Sequence, residues 1–245
     1  MLFSLDLITL MYVLPVVLAA LTVHEYAHAF VADKAGDPTP RSLGRLTLNP
    51  VKHLNLWGTL SMLLLGFGWA NPVPINSYNF RKPRRDLVLV SIAGPISNLI
   101  LSMIGGFLWA LFLRLSIGVS VGTFLANFLH SLATFAYYFH LLNLSFCLFN
   151  LLPVPPLDGS RLLTVLLPVK ARMWFQNHER QIYLVFLIWL LCGSAIYRFF
   201  MGFPSIANNV ALSTILKVFS LTGWLSDAVS WISRAVLNLF LLIFS

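Results

Sequence analysis

The sequence predicts an all-α polytopic membrane protein of about six transmembrane helices, with a three-helix core and a re-entrant loop. Three observations point there. Of its 245 residues, 58% are hydrophobic and only 10% charged, a balance outside that of soluble domains. Apolar runs long enough to cross a hydrocarbon layer of about 30 Å recur along the chain. The positive charges fall between those runs, as in loops that face anionic lipid.

The first span covers residues 7–31, with Pro15 near its start, and stops before Asp33-Lys34-Ala35-Gly36-Asp37-Pro38. The first six residues carry no positive charge. A cleaved secretory signal is therefore not expected, and the span stays in the mature protein. Residues 41–57 are polar and basic, and His53 among them is read first as a loop hydrogen-bonding residue, with a role at a site as the alternative.

The apolar run 58–69 is glycine-bearing and too short to span as a helix. With Ala70-Asn71-Pro72-Val73-Pro74-Ile75-Asn76 it predicts a re-entrant or interfacial loop over 58–76, for which a β-hairpin is one available form. Irregular backbone survives at that depth only against protein or water, so this loop should lie beside a polar site. Arg81-Lys82-Pro83-Arg84-Arg85 follows as an orientation signal and headgroup anchor.

The second span, 87–113, contains Ser91-Ile92-Ala93-Gly94-Pro95-Ile96-Ser97-Asn98, where small residues permit close helix packing. A connector over 114–123 leads to the third span, 124–149. Eight Lys and Arg residues separate spans one and two, against one between spans two and three. That asymmetry puts the first loop in the cytoplasm and the N-terminus outside.

Three prolines in Pro153-Val154-Pro155-Pro156 then break the chain. The break presents Asp158 from irregular backbone, with Gly159 free to adopt a positive φ. Residues 161–181 are basic and cytoplasmic, with room for a short interfacial helix. A fourth span covers 182–200, and the apolar tail is interrupted by Lys217, Gly223 and Asp227, which suggests two tilted or partial spans, 206–222 and 224–245. The chain thus divides into a membrane core, 1–160, and a C-terminal part, 161–245. Cys147 and Cys192 lie in apolar runs and read as core residues without a disulfide framework. The net charge of +8 has no basic aromatic domain behind it, so the expected partner is the bilayer and not nucleic acid.

Chemistry concentrates at His24-Glu25-Tyr26-Ala27-His28, toward the inner end of the first span. Residues four apart share a helix face, so both imidazoles can address one metal ion, with Glu25 one step round as general base. Zinc suits such a site because coordination lowers the pKa of water to about 7. A purely structural polar cluster is the alternative. Each ionisable group inside a membrane span costs roughly 2 to 3 kcal/mol, however, which makes such a cluster a poor scaffold. Asp158 is a candidate third ligand that leaves the fourth position open, and an Asp-Gly after prolines is equally an ordinary turn or helix cap. His130 and His140 stand ten apart and match no ligand spacing.

HEYAH, Ser91/Gly94/Pro95/Asn98, GRLTLNPVKH, GWANPVPIN and NLLPVPPLDG, in that family's sequence context over residues 7–159, resemble the site-2 protease family of intramembrane zinc metalloproteases in its short form. The resemblance implies one zinc ion held by His24, His28 and Asp158, with Glu25 as catalytic base. It further implies Asn150 and Asn98 as supporting or oxyanion residues, with Gly94, Pro95 and Asn71 in the same supporting set. Family members often carry Asp-Pro where this chain has Asn55 and Leu56, so the role of that acidic residue is in question here. The expected activity is hydrolysis of membrane-embedded protein substrates near the cytoplasmic leaflet of a prokaryotic plasma membrane. An extended substrate would pair with the edge of segment 58–76. A metal transporter using the His/His/Asp cluster as a transit site is the competing function, and Glu25, needed for hydrolysis and not for transport, discriminates between them.

Overall fold

The computed structural model describes residues 7–55, 58, 71–203 and 221–244. Seven helices carry the architecture among them: α1 (Leu7–Ala35), α2 (Pro83–Leu115), α3 (Phe124–Asn150), α4 (Asp158–Leu166), α5 (Val169–Asn177), α6 (Glu179–Met201) and α7 (Leu221–Ile243). Five of these, α1, α2, α3, α6 and α7, are long and apolar enough to cross a membrane. The chain is an integral membrane protein of the all-α, multi-pass kind. The expected span 206–222 lies outside the described residues except for its last two, as does the expected re-entrant segment except for Gly58 and residues 71–76. No strand occurs among the described residues.

Local chemistry sets the helix ends. α1 runs four residues beyond the expected stop and closes at Gly36, which takes φ 109°. Its amide donates to Asp33 O at 3.2 Å, and that of Asp37 to Ala32 O at 3.0 Å. These bonds satisfy carbonyls at the helix end, and only a residue without Cβ adopts that conformation cheaply. α2 starts at Pro83, which loses no needed donor in a first helical position. The Asp86 carboxylate reaches back to accept the Lys82 N–H at 2.7 Å. α3 is capped by Thr123 Oγ1, which accepts the Ala126 N–H at 3.2 Å.

α2 and α3 pack along most of their length, α1 lies against both, and α7 leans on α2 and α3. Buried apolar residues of α1 are small or β-branched: Val16, Val17, Ala20, Ala29 and Ala32, which lets helix backbones approach closely in lipid. A polar cluster pins α7 to this core. His140 on α3 is fully buried, its Nδ1 lies 2.9 Å from both Ser102 Oγ and Ser102 O on α2, and its Nε2 lies 3.0 Å from Ser233 Oγ on α7. Cys147 is buried as expected, whereas Cys192 is exposed on α6, where a membrane-spanning helix offers lipid instead of core.

Residues 71–80 are strapped across the end of the bundle where α1 stops and α2 starts. At one end Asp37, with no exposed surface, accepts hydrogen bonds from the Asn76 amide at 2.7 Å and from Asn79 Nδ2 at 2.9 Å. It also accepts from the amide and hydroxyl of Thr39 at 3.1 and 2.5 Å. Burial pushes this carboxyl up, and the donors around it outweigh burial and hold it below its ordinary value. At the other end the Asn71 amide donates to His53 O at 2.7 Å and Asn71 Nδ2 to Leu54 O at 2.9 Å. His53 donates Nε2–H to Thr47 O at 2.8 Å, a loop role as expected.

Candidate metal centre

His24 and His28 stand on the face of α1 turned toward α2 and α4. His24 Nε2 and His28 Nε2 are 3.1 Å apart, and each faces Asp158 Oδ2, at 3.1 and 3.0 Å respectively. All three residues are buried. The far nitrogen of each ring is engaged: His28 Nδ1 donates to Val90 O at 2.7 Å, and His24 Nδ1 lies 2.6 Å from Asn98 Oδ1. Val90 O can only accept, which puts a proton on His28 Nδ1, so in the neutral ring the lone pair is on Nε2. For His24 the same follows along a row of amides. Asn143 Nδ2 donates to Phe139 O at 2.8 Å, so its Oδ1 takes the Asn98 Nδ2 proton at 2.9 Å. Asn98 Oδ1 is thereby turned to His24, and Asn98 Nδ2 also reaches Ala20 O at 3.3 Å.

With both rings neutral, three electron-pair donors meet with their protons on the outer side, an arrangement suited to a cation. Tetrahedral zinc, with bonds of about 2.0 to 2.1 Å, holds its ligands about 3.3 Å apart. The observed separations of 3.0–3.1 Å lie within a few tenths of that, and an imidazole and carboxylate set is the kind zinc takes in catalytic sites.

Two glycines make room. A Cβ on Gly94 would lie 2.6 Å from His24 Cε1 and Nε2 and closer still to His28 Nε2. Gly159 is helical, and no positive φ occurs there. Its need for glycine is steric instead, because a Cβ would collide with the Leu151 and Leu152 carbonyls. Asp158 is the first residue of α4, immediately after the proline-broken segment; Leu157 holds the cap position with no side-chain bond, and the Asp158 carboxylate turns to the two imidazoles instead.

Glu25 projects into the same cavity, about 100 Å³ in volume, which Pro72, Val73, Asn150 and Arg161 also line. Its Oε2 accepts the Val73 amide at 3.0 Å. Asn150 reaches the cavity, with Nδ2 donating to Phe146 O at 3.0 Å. Arg161 was legible only as the first residue of a basic segment, and the α4 helix that turns it inward is set by the proline break.

Other expected supporting residues sit elsewhere. Asn98 is fully buried behind His24 with both its amide atoms engaged, so it positions the His24 ring and is closed to an oxyanion. Asn71 faces the loop, where Asn55 Nδ2 donates to its Oδ1 at 2.8 Å. Asn55 Oδ1 in turn accepts the Gly58 amide at 2.9 Å. An aspartate at position 55 could accept that amide and could not donate to Asn71. Pro95 is buried beside Gly94 in α2, outside the cavity wall.

The edge expected for substrate pairing is partly occupied. Pro72 and Pro74 have no N–H, and the amides of Asn71, Val73 and Asn76 are engaged with His53 O, Glu25 and Asp37. Carbonyls of 71–76 and the Ile75 amide are what this stretch offers a guest chain.

With the geometry in place, comparison with known proteins is specific. The family model described as peptidase family M50 matches residues 12–193. YwhC of Bacillus subtilis, described as a candidate zinc metalloprotease, is 44% identical over 209 residues, covering 85% of this chain and 91% of the relative. Rip2 of Mycobacterium tuberculosis strain H37Rv, described the same way, is 30% identical over 203 residues, covering 76% of this chain and 68% of the relative. No solved structure gives a significant match. Agreement over this much of the chain has one consequence: the protein belongs to peptidase family M50, the site-2 proteases, and is a membrane zinc metalloprotease.

Proposed function

We propose that the protein is an intramembrane endopeptidase, holding one zinc ion through His24, His28 and Asp158 and cutting membrane-embedded protein substrates near the cytoplasmic leaflet. The observation that carries this reading is the convergence of two imidazole nitrogens and a carboxylate oxygen in a cavity shared with Glu25, between membrane-spanning helices. Zinc, when bound, supplies a Lewis acid that polarises a carbonyl and lowers the pKa of water to about 7. The protein supplies everything else. Asn98 and Val90 O hold the two imidazoles in the ligating tautomer, the usual task of groups behind a metal ligand. Glu25 accepts the proton of the attacking water and returns it to the leaving amine. Asn150 and Arg161 are the hydrogen-bond donors facing the cavity, placed to hold a substrate carbonyl. A helical substrate hides its amides in internal bonds and must unwind first, and the extended strap over 71–76 gives the unwound chain carbonyls to pair with.

The basic loop and the site lie at the same end of α1 and α2, which supports a cytoplasmic site and an external N-terminus. The bacterial sources of the relatives support a prokaryotic plasma membrane. The test is the Glu25→Gln variant in proteoliposomes with a single-span helical substrate. Zinc content should stay at one per chain while turnover falls about 10²-fold or more, the usual contribution of general acid–base catalysis. Undiminished cleavage would remove Glu25 from its role and the reading with it.

A further inference from the structure

A second cavity, of about 380 Å³, opens between the last turns of α1 and the first turns of α2. It shares no lining residue with the metal site. Lys34, Arg81, Lys82 and Arg85 converge on it, and none of the four forms an ion pair among the described residues. Nearby Arg41 shows the contrast, since Asp33 neutralises it through contacts of 2.7 and 2.8 Å. The acid in the wall, Asp86, is buried and turned to the Lys82 backbone amide at 2.7 Å.

Arg81 is held in place: its amide donates to Ala35 O at 3.1 Å, and its side chain lies along Gly36, with Cγ 3.3 Å from where a Cβ would be. The rest of the wall is apolar. Val31 and the partly exposed Leu89 continue from the basic end onto membrane-spanning helix.

Lys34 Nζ lies 5.6 Å from the Phe30 ring centroid, and none of the four cations has a carboxylate partner among the described residues; such cations above an apolar wall match a phosphate group carried on an acyl chain. The volume is within the range of built small-molecule sites, roughly 300 to 1,000 Å³. We propose that this cavity binds the headgroup of an anionic phospholipid, with the phosphate among Lys34, Arg81, Lys82 and Arg85 and an acyl chain running down past Val31 and Leu89. A specific lipid would thereby brace the inner ends of α1 and α2, the two helices that carry the histidines and the residues behind them.

The test uses the full chain in nanodiscs of phosphatidylcholine alone or mixed with phosphatidylglycerol, with lipid retention read by native mass spectrometry. Wild type should retain phosphatidylglycerol selectively. Arg81→Gln/Arg85→Gln should weaken retention by roughly 30-fold, about fivefold per cation. Arg84→Gln/Lys52→Gln removes equal charge from the same loop outside the cavity and should leave retention unchanged. Lys34→Gln, on the helix and outside the basic block, should weaken it about fivefold even if the double variant inserts poorly. Equal loss in the cavity and control variants, or no preference for phosphatidylglycerol in wild type, would overturn the proposal. Thermal stabilisation by inorganic phosphate equal to that by phosphatidylglycerol would overturn it too, by making the ligand a soluble anion.

Discussion

Replacing Gly94 with alanine puts a methyl group against both imidazoles proposed to hold zinc. The new carbon would lie 2.6 Å from His24 Cε1 and Nε2 and nearer still to His28 Nε2, where ordinary contacts need about 3.5 to 4.0 Å. Each ring, or α2 as a whole, must then shift by about 1 Å. Ligand distances tolerate only about 0.2 Å, so the overpacking is relieved at the expense of the ligand set. Displacing a group behind one ligand costs about 10- to 100-fold in metal affinity. Here two ligands move together, and zinc binding should weaken by about 10²-fold or more, with about 1 to 3 kcal/mol of fold stability lost to strain. The assay is zinc per chain after equilibrium dialysis against a competing chelator, alongside a thermal melt of the same sample. Ile96→Ala, on the 46% exposed side of the same turn, should keep its zinc. Wild-type affinity in Gly94→Ala would refute the packing of the two rings against α2.

Asn98→Leu removes the acceptor for His24 Nδ1–H and should weaken zinc about 10- to 100-fold, measured by chelator competition, with the helical circular dichroism signal retained. Asp37 titrates below its ordinary value, so its contribution is complete above the unfolded pKa of about 3.9 and is lost as pH falls through the folded one. Hydrogen exchange in residues 71–80, corrected for intrinsic rate, should therefore accelerate below about pH 4 in wild type and stay pH-independent in Asp37→Asn. His140→Leu cuts the tie between α3, α2 and α7. Membrane hydrogen bonds average about 0.6 kcal/mol and reach about 1.7, so roughly 1 to 2 kcal/mol of stability should go while zinc stoichiometry is unchanged, read by thermal melting and metal analysis.

Five of the spans and the shared face of His24 and His28 were readable because each depends on one helix. Apolar runs mark the crossings, and His24 and His28 share a face by spacing alone. Ser91, Gly94, Pro95 and Asn98 also share one face of α2, and all four are buried. Their spacing says that the face is packed. It does not say that His24 and His28 are what packs there, because the sequence carries no register between helices. For the same reason His140 matched no ligand pattern and yet found Ser102 and Ser233 on two other helices. The hold of Asp37 on Asn76 and Asn79, and of Val73 on Glu25, depends on a loop crossing back over the bundle. Local turn chemistry marks where such a loop bends, and only tertiary packing decides what it touches. Arg161 and Gly159 followed from the proline break, whose effect on direction no periodicity encodes.

The row from Phe139 O through Asn143 and Asn98 to His24 has a consequence beyond holding a ring. Each link has a sense, acceptor at one end and donor at the other, and every link inherits that sense from the one before. A main-chain carbonyl on α3 thus dictates which nitrogen of a ligand on α1 bears hydrogen, by way of a side chain on α2. An Asn143→Leu change, two helices away from His24, would take away the acceptor of the Asn98 amide and leave only its longer bond to Ala20 O, at 3.3 Å, to keep it from turning round.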